Sequence, residues 1–264
     1  MKKMTRSTDI AKLLMLIAFI SFSIISCKKK EEIPALSTIN EYFPLKVGKY
    51  IVYRLDSTVA TEDAKRLVVH TYMIKDSVDE QFVDNQGRVS FRISRFIRDS
   101  AGLGAWRGNT TLFATLTPNN LGTGGSIEFV ENNLRFIKLK EPVREGFVWP
   151  GNSYINTNND FYRYYDGWEY TYEDVGGSLT VGTKNFSSAL TVVQQPNEGG
   201  TEDLSNPSVK FDERNYSVEK YAKGVGLVYK EFIHWTFHRD ELNSNIYYFT
   251  ENSYGVKLTV LDYN

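Results

Sequence analysis

Two histidines four residues apart, His234 and His238, are the first candidates for chemistry in this 264-residue chain. On a helix that spacing would bring both imidazoles to one face, as a zinc site requires. The surrounding residues, 228–237, are β-branched and aromatic and favour a strand instead. On a strand the two Cα atoms lie about 13 Å apart at roughly 3.3 Å rise per residue, too far for both rings to reach one metal at about 2.1 Å. Serine chemistry fares no better, because no G-x-S-x-G elbow occurs and the third histidine, His70, falls inside an expected strand. Gly122, Gly124 and Gly125, and again Gly224 and Gly226, lack the strand-loop-helix setting of a phosphate-binding loop. The adjacent carboxylates Glu173 and Asp174 precede Gly176-Gly177 and read as turn chemistry rather than a glycosidase pair. These patterns point to no catalytic residue, no metal and no cofactor, so the chain is expected not to be an enzyme.

The run at 161–172 is the strongest candidate for binding. Taken as a strand, its alternation puts Tyr162, Tyr164, Asp166, Trp168, Tyr170 and Tyr172 on one side. Such an aromatic ladder can stack on a sugar ring or line an apolar cavity, although sheet core and cross-strand packing are its commoner uses. Tyr162, Tyr164, Trp168 and Tyr170 are therefore the candidate ligand-contacting side chains.

Cys27 is the only cysteine, so no disulfide framework is available. It follows Lys2, Lys3, Arg6 and Lys12 and then a mostly apolar stretch at 13–25. A stretch of about 13 residues is too short to span a hydrocarbon core of roughly 30 Å, and reads as a cleavable signal peptide occupying residues 1–26. Ile24-Ile25-Ser26-Cys27 resembles the lipobox that precedes a lipidated cysteine. Several acyl chains on one residue exceed the marginal anchoring of a single chain, so the expected partner is a membrane, engaged through Cys27. Residues 27–40 read as a polar, disordered tether, and Lys30-Glu31-Glu32 resembles the charged export signal of surface-displayed lipoproteins in the Bacteroidota. The expected location is the outer membrane, with its face left open. Removing residues 1–26 takes four basic and one acidic side chain from totals of 31 and 32, leaving a net charge of −4. Such a balance supplies no clustered basic surface, and no nucleic-acid partner is expected.

The elements that would position these residues read as strands. Period-two alternation marks 49–59, 66–82, 88–98 and 106–117, with turn residues Asp84-Asn85-Gln86-Gly87 and Asp99-Ser100-Ala101-Gly102 between successive runs. In the run 88–98, Val89, Phe91, Ile93 and Ile97 share one face, and Arg95 and Phe96 break the pattern. A glycine-rich loop at 118–125 follows, then a strand pair at 127–139 interrupted at Asn132-Asn133. Strands at 162–172 and 178–194 flank Gly176-Gly177, residues 195–215 form the longest loop, and strands at 227–238, 246–251 and 256–263 close the chain. No apolar spacing of three and four persists for three turns, so helices should be few. Hairpins in series, without crossover helices, imply an all-β antiparallel fold at 41–264, a β-sandwich or an open β-barrel or roll.

Three segments resemble motifs of a group of Bacteroidota envelope lipoproteins: Tyr42-Phe43-Pro44-Leu45-Lys46-Val47-Gly48, Pro142-Val143-Arg144-Glu145-Gly146 ahead of Trp149, and Tyr221-Ala222-Lys223-Gly224-Val225-Gly226-Leu227-Val228-Tyr229-Lys230-Glu231. The resemblance implies an envelope location and a β-rich fold and carries no activity. The expected function is a non-enzymatic binding or structural module held by lipid; the alternative is a carrier of a lipid or other apolar molecule inside an open barrel. Three Asp-Ser pairs, at 56–57, 76–77 and 99–100, also resemble an O-glycosylation sequon, although Asp and Ser favour strand ends for their capping chemistry. Replacing the presumed anchor, Cys27→Ser, should abolish metabolic palmitate labelling and leave an unprocessed precursor on a gel; normal labelling and maturation would refute the anchor.

Overall fold

The computed structural model of the protein describes residues 39–117 and 125–264. The signal peptide, Cys27, the Lys30-Glu31-Glu32 triplet and most of the glycine-rich loop lie outside them. A helical turn, α1 (Ile39–Tyr42), opens the described chain. Ile39 and Tyr42 are buried, so Ile39 and Asn40, placed in the tether by the sequence, belong to the folded domain.

Six strands follow as a meander: β1 (Tyr50–Ala60), β2 (Leu67–Val83), β3 (Val89–Asp99), β4 (Arg107–Thr117), β5 (Ser126–Glu131) and β6 (Leu134–Lys140). After the short β7 (Val148–Trp149) and a 3-10 helix (Asp160–Tyr165) come β8 (Tyr170–Val181), β9 (Lys184–Gly199), β10 (Phe211–Ala222), β11 (Gly226–Arg239), β12 (Tyr247–Phe249) and β13 (Tyr254–Tyr263). All belong to one antiparallel sheet in the order β6-β5-β4-β3-β2-β1-β13-β11-β10-β9-β8-β7, with β12 paired to β11. The last strand joins the first, Leu55 lying opposite Leu258, and the sheet curls into a nearly closed barrel. Of the two architectures the alternation allowed, the barrel is the one adopted.

The free edges of this sheet are β6 and the β7–β8 hairpin, and unpaired edge groups must find partners. Here two side chains and one backbone bond supply partners across the gap. The Tyr172 hydroxyl accepts from the Lys140 backbone N–H at 2.8 Å and donates to the Lys140 carbonyl at 2.9 Å, bonding both polar groups of one residue. The Trp149 indole donates to the Ile137 carbonyl at 2.8 Å, and the Ile137 N–H donates to the Gly151 carbonyl at 2.7 Å. Trp149 and Tyr172 pack with ring centroids 4.5 Å apart, both buried, so the bonds that close the barrel are shielded from water.

Three local expectations are corrected. Residues 162–172 do not form one strand: Asp160–Tyr165 is helical, and β8 starts only at Tyr170. Asparagine chemistry decides this, because Asn156 Oδ1 accepts from the Asn158 N–H and Asn159 Oδ1 accepts from the Phe161 N–H, nucleating turns in place of extended chain. Gly176-Gly177 is not the turn between strands but a bulge inside β8, where the register shifts between Glu173 and Gly177 and Gly176 takes φ +80°. The Glu145 carboxylate accepts from the N–H groups of Asp174 and Val175, which fixes that bulge, and the hairpin turns instead between Val181 and Lys184. The expected loop at 195–215 shrinks to 200–210, because β9 runs to Gly199 and β10 begins at Phe211.

Tyr172→Phe removes the hydroxyl and orphans both backbone groups of Lys140. Equilibrium urea unfolding should show a loss of about 1–3 kcal/mol with little change in m; an unchanged midpoint would mean that the seam is held without this bond.

Candidate functional site

Alternation along the strands sends every second side chain into the barrel, and in one layer those side chains are charged. Asp76 (β2), Arg95 (β3), Glu131 (β5), Lys138 (β6), Glu219 (β10) and Lys230 (β11) meet there. The Arg95 guanidinium holds Asp76 through two bonds of 2.7 and 2.8 Å and reaches Glu131 at 3.1 Å. Glu131 also accepts from Lys230 at 2.7 Å. Lys138 donates to Glu219 at 2.5 Å, and the other Glu219 oxygen accepts from the Tyr221 hydroxyl at 2.5 Å. Three cations face three anions, so the layer is neutral overall, and mutual pairing offsets the desolvation that would otherwise exclude such groups from an interior. Burial alone would raise the Glu131 pKa; Lys230, Arg95 and Lys138 outweigh it and hold the carboxyl well below the usual range. Burial pulls Lys138 below an ordinary lysine, against the attraction of Glu219.

This layer was missed in the sequence, although its signal was there. Arg95 counted as a break in the alternation, yet it occupies the inward position of the series Phe91, Ile93, Arg95, Ile97. Likewise Lys138 continues Leu134 and Phe136, and Lys230 precedes Phe232 by two. A single charge on the apolar register of a strand is the legible mark of an interior polar site.

A cavity lies on each side of the layer, and both share Glu131, Lys138 and Lys230 as lining. The smaller, near Phe43, Tyr53 and Leu258, encloses about 80 Å³, room for roughly two or three waters. The larger encloses about 290 Å³, room for roughly ten waters or a small ring compound. Tyr162, Tyr164, Trp168 and Tyr170, the four aromatics singled out from the sequence, all line it. Their placement differs from the ladder expected: Tyr162 and Tyr164 come from the 3-10 helix, Trp168 from the turn after it, and Tyr170 from the start of β8. Phe232 and Tyr254 complete the wall with centroids 4.8 Å apart, and the Tyr254 hydroxyl lies 3.3 Å from that of Tyr164. The exposed Phe161 and Asn132 stand at the rim. Gly151 permits this wall, because a Cβ there would sit 2.2 Å from the Tyr170 ring.

Gln194 and Ser217 add a buried polar pair to the lining. The Ser217 hydroxyl donates to Gln194 Oε1 at 2.6 Å, while Gln194 Nε2 has no hydrogen-bond partner among the described residues. Gln194 is 3% exposed.

The two histidines of the sequence analysis are separated by their surroundings. His234 is buried and lies flat on Tyr164, centroids 3.8 Å apart at 14°. Its Nδ1 sits 2.7 Å from Asn215 Oδ1, and because Asn215 Nδ2 donates to Glu213, that oxygen faces the ring and Nδ1 carries the proton. His238 instead stacks on Tyr248 and meets Phe211 edge-on. Among the described residues no group of three or more His, Cys, Asp or Glu is arranged to hold a metal, and no helix is long and apolar enough to cross a membrane. Of the Asp-Ser pairs, Asp76 belongs to the charged layer and Asp99 accepts from the N–H groups of Leu103 and Gly104.

The chain matches no protein-family model and no curated protein. Among solved structures it is similar to a presumed exported protein of Bacteroides fragilis with a YmcC-like fold, at 12% identity and a TM-score of 0.39, over 84% of this chain and 99% of that one.

Burial pushes the His234 pKa down to about 4 from 6.5. The unfolded chain therefore binds the proton more tightly, and stability falls as pH drops from about 6.5 toward 4. Urea unfolding should show a loss of about 2 kcal/mol between pH 7 and pH 5 from this group. His234→Leu, whatever its stability at pH 7, should lose at least half of that difference; an unaltered pH slope would show that another group carries it.

Proposed function

We propose that this chain is a lipid-anchored protein of the cell envelope, tethered to the outer membrane by Cys27, and that its barrel is a small-molecule binding module rather than an enzyme. The larger cavity carries this reading: it has aromatic walls, a charged and polar floor and a rim that meets solvent at Phe161 and Asn132. Such a mixture of stacking surface and a few placed polar groups is the usual composition of a ligand site. Support for a non-catalytic role comes from how the titratable groups are used. The interior acids are engaged in ion pairs, and His234 is held between Asn215 and Tyr164. The signal-peptide pattern, the lipobox and the resemblance to envelope lipoproteins support the location.

The carrier reading expects a cavity of a few hundred Å³ whose lining is apolar throughout. The volume suits it, but Glu131, Lys138 and Lys230 at the floor weigh against an acyl chain and in favour of a ligand with polar groups.

Trp168 provides the test. The fluorescence difference between the full chain and its Trp168→Phe variant should change saturably on titration with at least one small ring compound, and Tyr164→Ala should weaken that response. At roughly 0.3 kcal/mol per non-hydrogen atom, a probe of about twelve atoms should bind with Kd on the order of 1 mM. A panel of phenols, aromatic acids, amides and hexoses that leaves the signal flat up to about 10 mM, well above that Kd, would overturn the binding-module reading.

A further inference from the structure

The chemistry of the cavity floor narrows the class of ligand, an inference that rests on the binding reading above. The floor leaves hydrogen-bond donors to spare. Each lysine ammonium has three N–H groups. Lys138 gives one to Glu219, and its Nζ lies 4.7 Å from the Phe136 ring centroid. Lys230 gives one to Glu131 and stands 3.8 Å from Glu219, beyond hydrogen-bond reach. Each carboxylate oxygen already accepts a bond: Glu131 accepts from Arg95 and Lys230, and Glu219 from Lys138 and Tyr221. Gln194 adds further donors. Its Oε1 is occupied by Ser217, which leaves the amide Nε2, with two N–H groups, unpartnered in the lining of the same cavity. A buried donor without an acceptor costs free energy that a ligand oxygen can recover.

We propose that the cavity takes a small ring compound bearing a carboxylate. The carboxylate accepts from Gln194 Nε2 and from the spare N–H groups of Lys138 and Lys230, and the ring lies among Tyr164, Trp168, Tyr170 and Phe232. A carboxylate fits better than a neutral carbonyl because both of its oxygens accept, its charge is attracted by two ammonium groups, and its bond to the neutral Gln194 amide becomes charge-assisted, a class roughly twice as strong as neutral pairs. Two sources offer this chemistry, a uronic acid, whose sugar ring stacks on tyrosine and tryptophan, and an aromatic acid.

Matched pairs of probes separate charge from shape. Isothermal titration of the full chain in detergent with benzoate against benzamide, and galacturonate against galactose, should give an acid that binds at least about tenfold more tightly than its neutral partner. The pair that shows this identifies the source. Gln194→Glu keeps an acceptor for Ser217 while placing a second carboxylate against the ligand. It should weaken the acid by about tenfold or more and the neutral partner by less than the acid, with the thermal melt recorded to show the fold retained. Should that variant not fold, the paired comparison on the unmodified chain still decides. Neutral probes that bind as tightly as their acids would overturn the carboxylate class and leave the binding module standing. Acid binding unaffected by Gln194→Glu would remove Gln194 from the site and overturn the proposal as stated. No binding by any of the four would overturn this proposal; the broader panel read at Trp168 decides the binding module independently.

Discussion

Closure of the barrel between β6 and the β7–β8 hairpin is the constraint on which the rest of the interior depends. Strand pairing runs unbroken from β6 round to β7, and across the gap the Ile137 N–H donates to the Gly151 carbonyl, supplemented by Trp149 and Tyr172. Tyrosine suits the position because one hydroxyl both donates and accepts, so it satisfies a whole residue's backbone where a strand would otherwise be needed. Were the seam open, the charged layer would meet bulk solvent along β6 as well, and its ion pairs would contribute less, since pairs in water contribute little.

With the seam closed, the charged layer becomes the partition of the interior. Six groups from six strands meet in a low-dielectric space, and their near-complete pairing is what lets them remain there. Each oxygen of Glu131 and Glu219 accepts a bond, while the lysines and Gln194 keep N–H groups beyond those they give. Lys138, Lys230 and Gln194 line the larger cavity, so these N–H groups belong to its wall. Tyr162, Tyr164 and Trp168 of the aromatic wall come from segments that are not strands, the 3-10 helix and the turn after it, fixed by Asn159 and by the contact of Tyr164 with His234, while Tyr170, Phe232 and Tyr254 come from strands.

Much of the fold was legible residue by residue. Alternation in β1 to β4 and the turn clusters between them gave strand positions to within a residue or so, because both signals are local: side chains on a strand alternate faces, and Asp, Asn and Gly bend the chain where they stand. The structure departs from these expectations in one place through a non-local partner and in another through local turn chemistry. Gly176-Gly177 reads as a turn in isolation, but Glu145, some thirty residues earlier, captures the neighbouring N–H groups and makes it a bulge. The aromatic residues at 162–170 were correctly marked as a group by their composition, while their path was misread because the asparagines ahead of them start helical turns.

The sequence by itself determined that the chain is all-β and antiparallel, that its strands follow one another in hairpins, and that an aromatic cluster near Tyr164 stands apart from the rest. Each of these follows from spacing within a few residues. Only the tertiary structure decided that the sheet closes on itself, that Asp76, Arg95, Glu131, Lys138, Glu219 and Lys230 share one layer, and that the aromatics face that layer across a cavity. The reason is physical: these relations join residues up to 154 positions apart, from Asp76 to Lys230, and a lone charge on an inward register reveals that a partner is needed without revealing which strand will bring it.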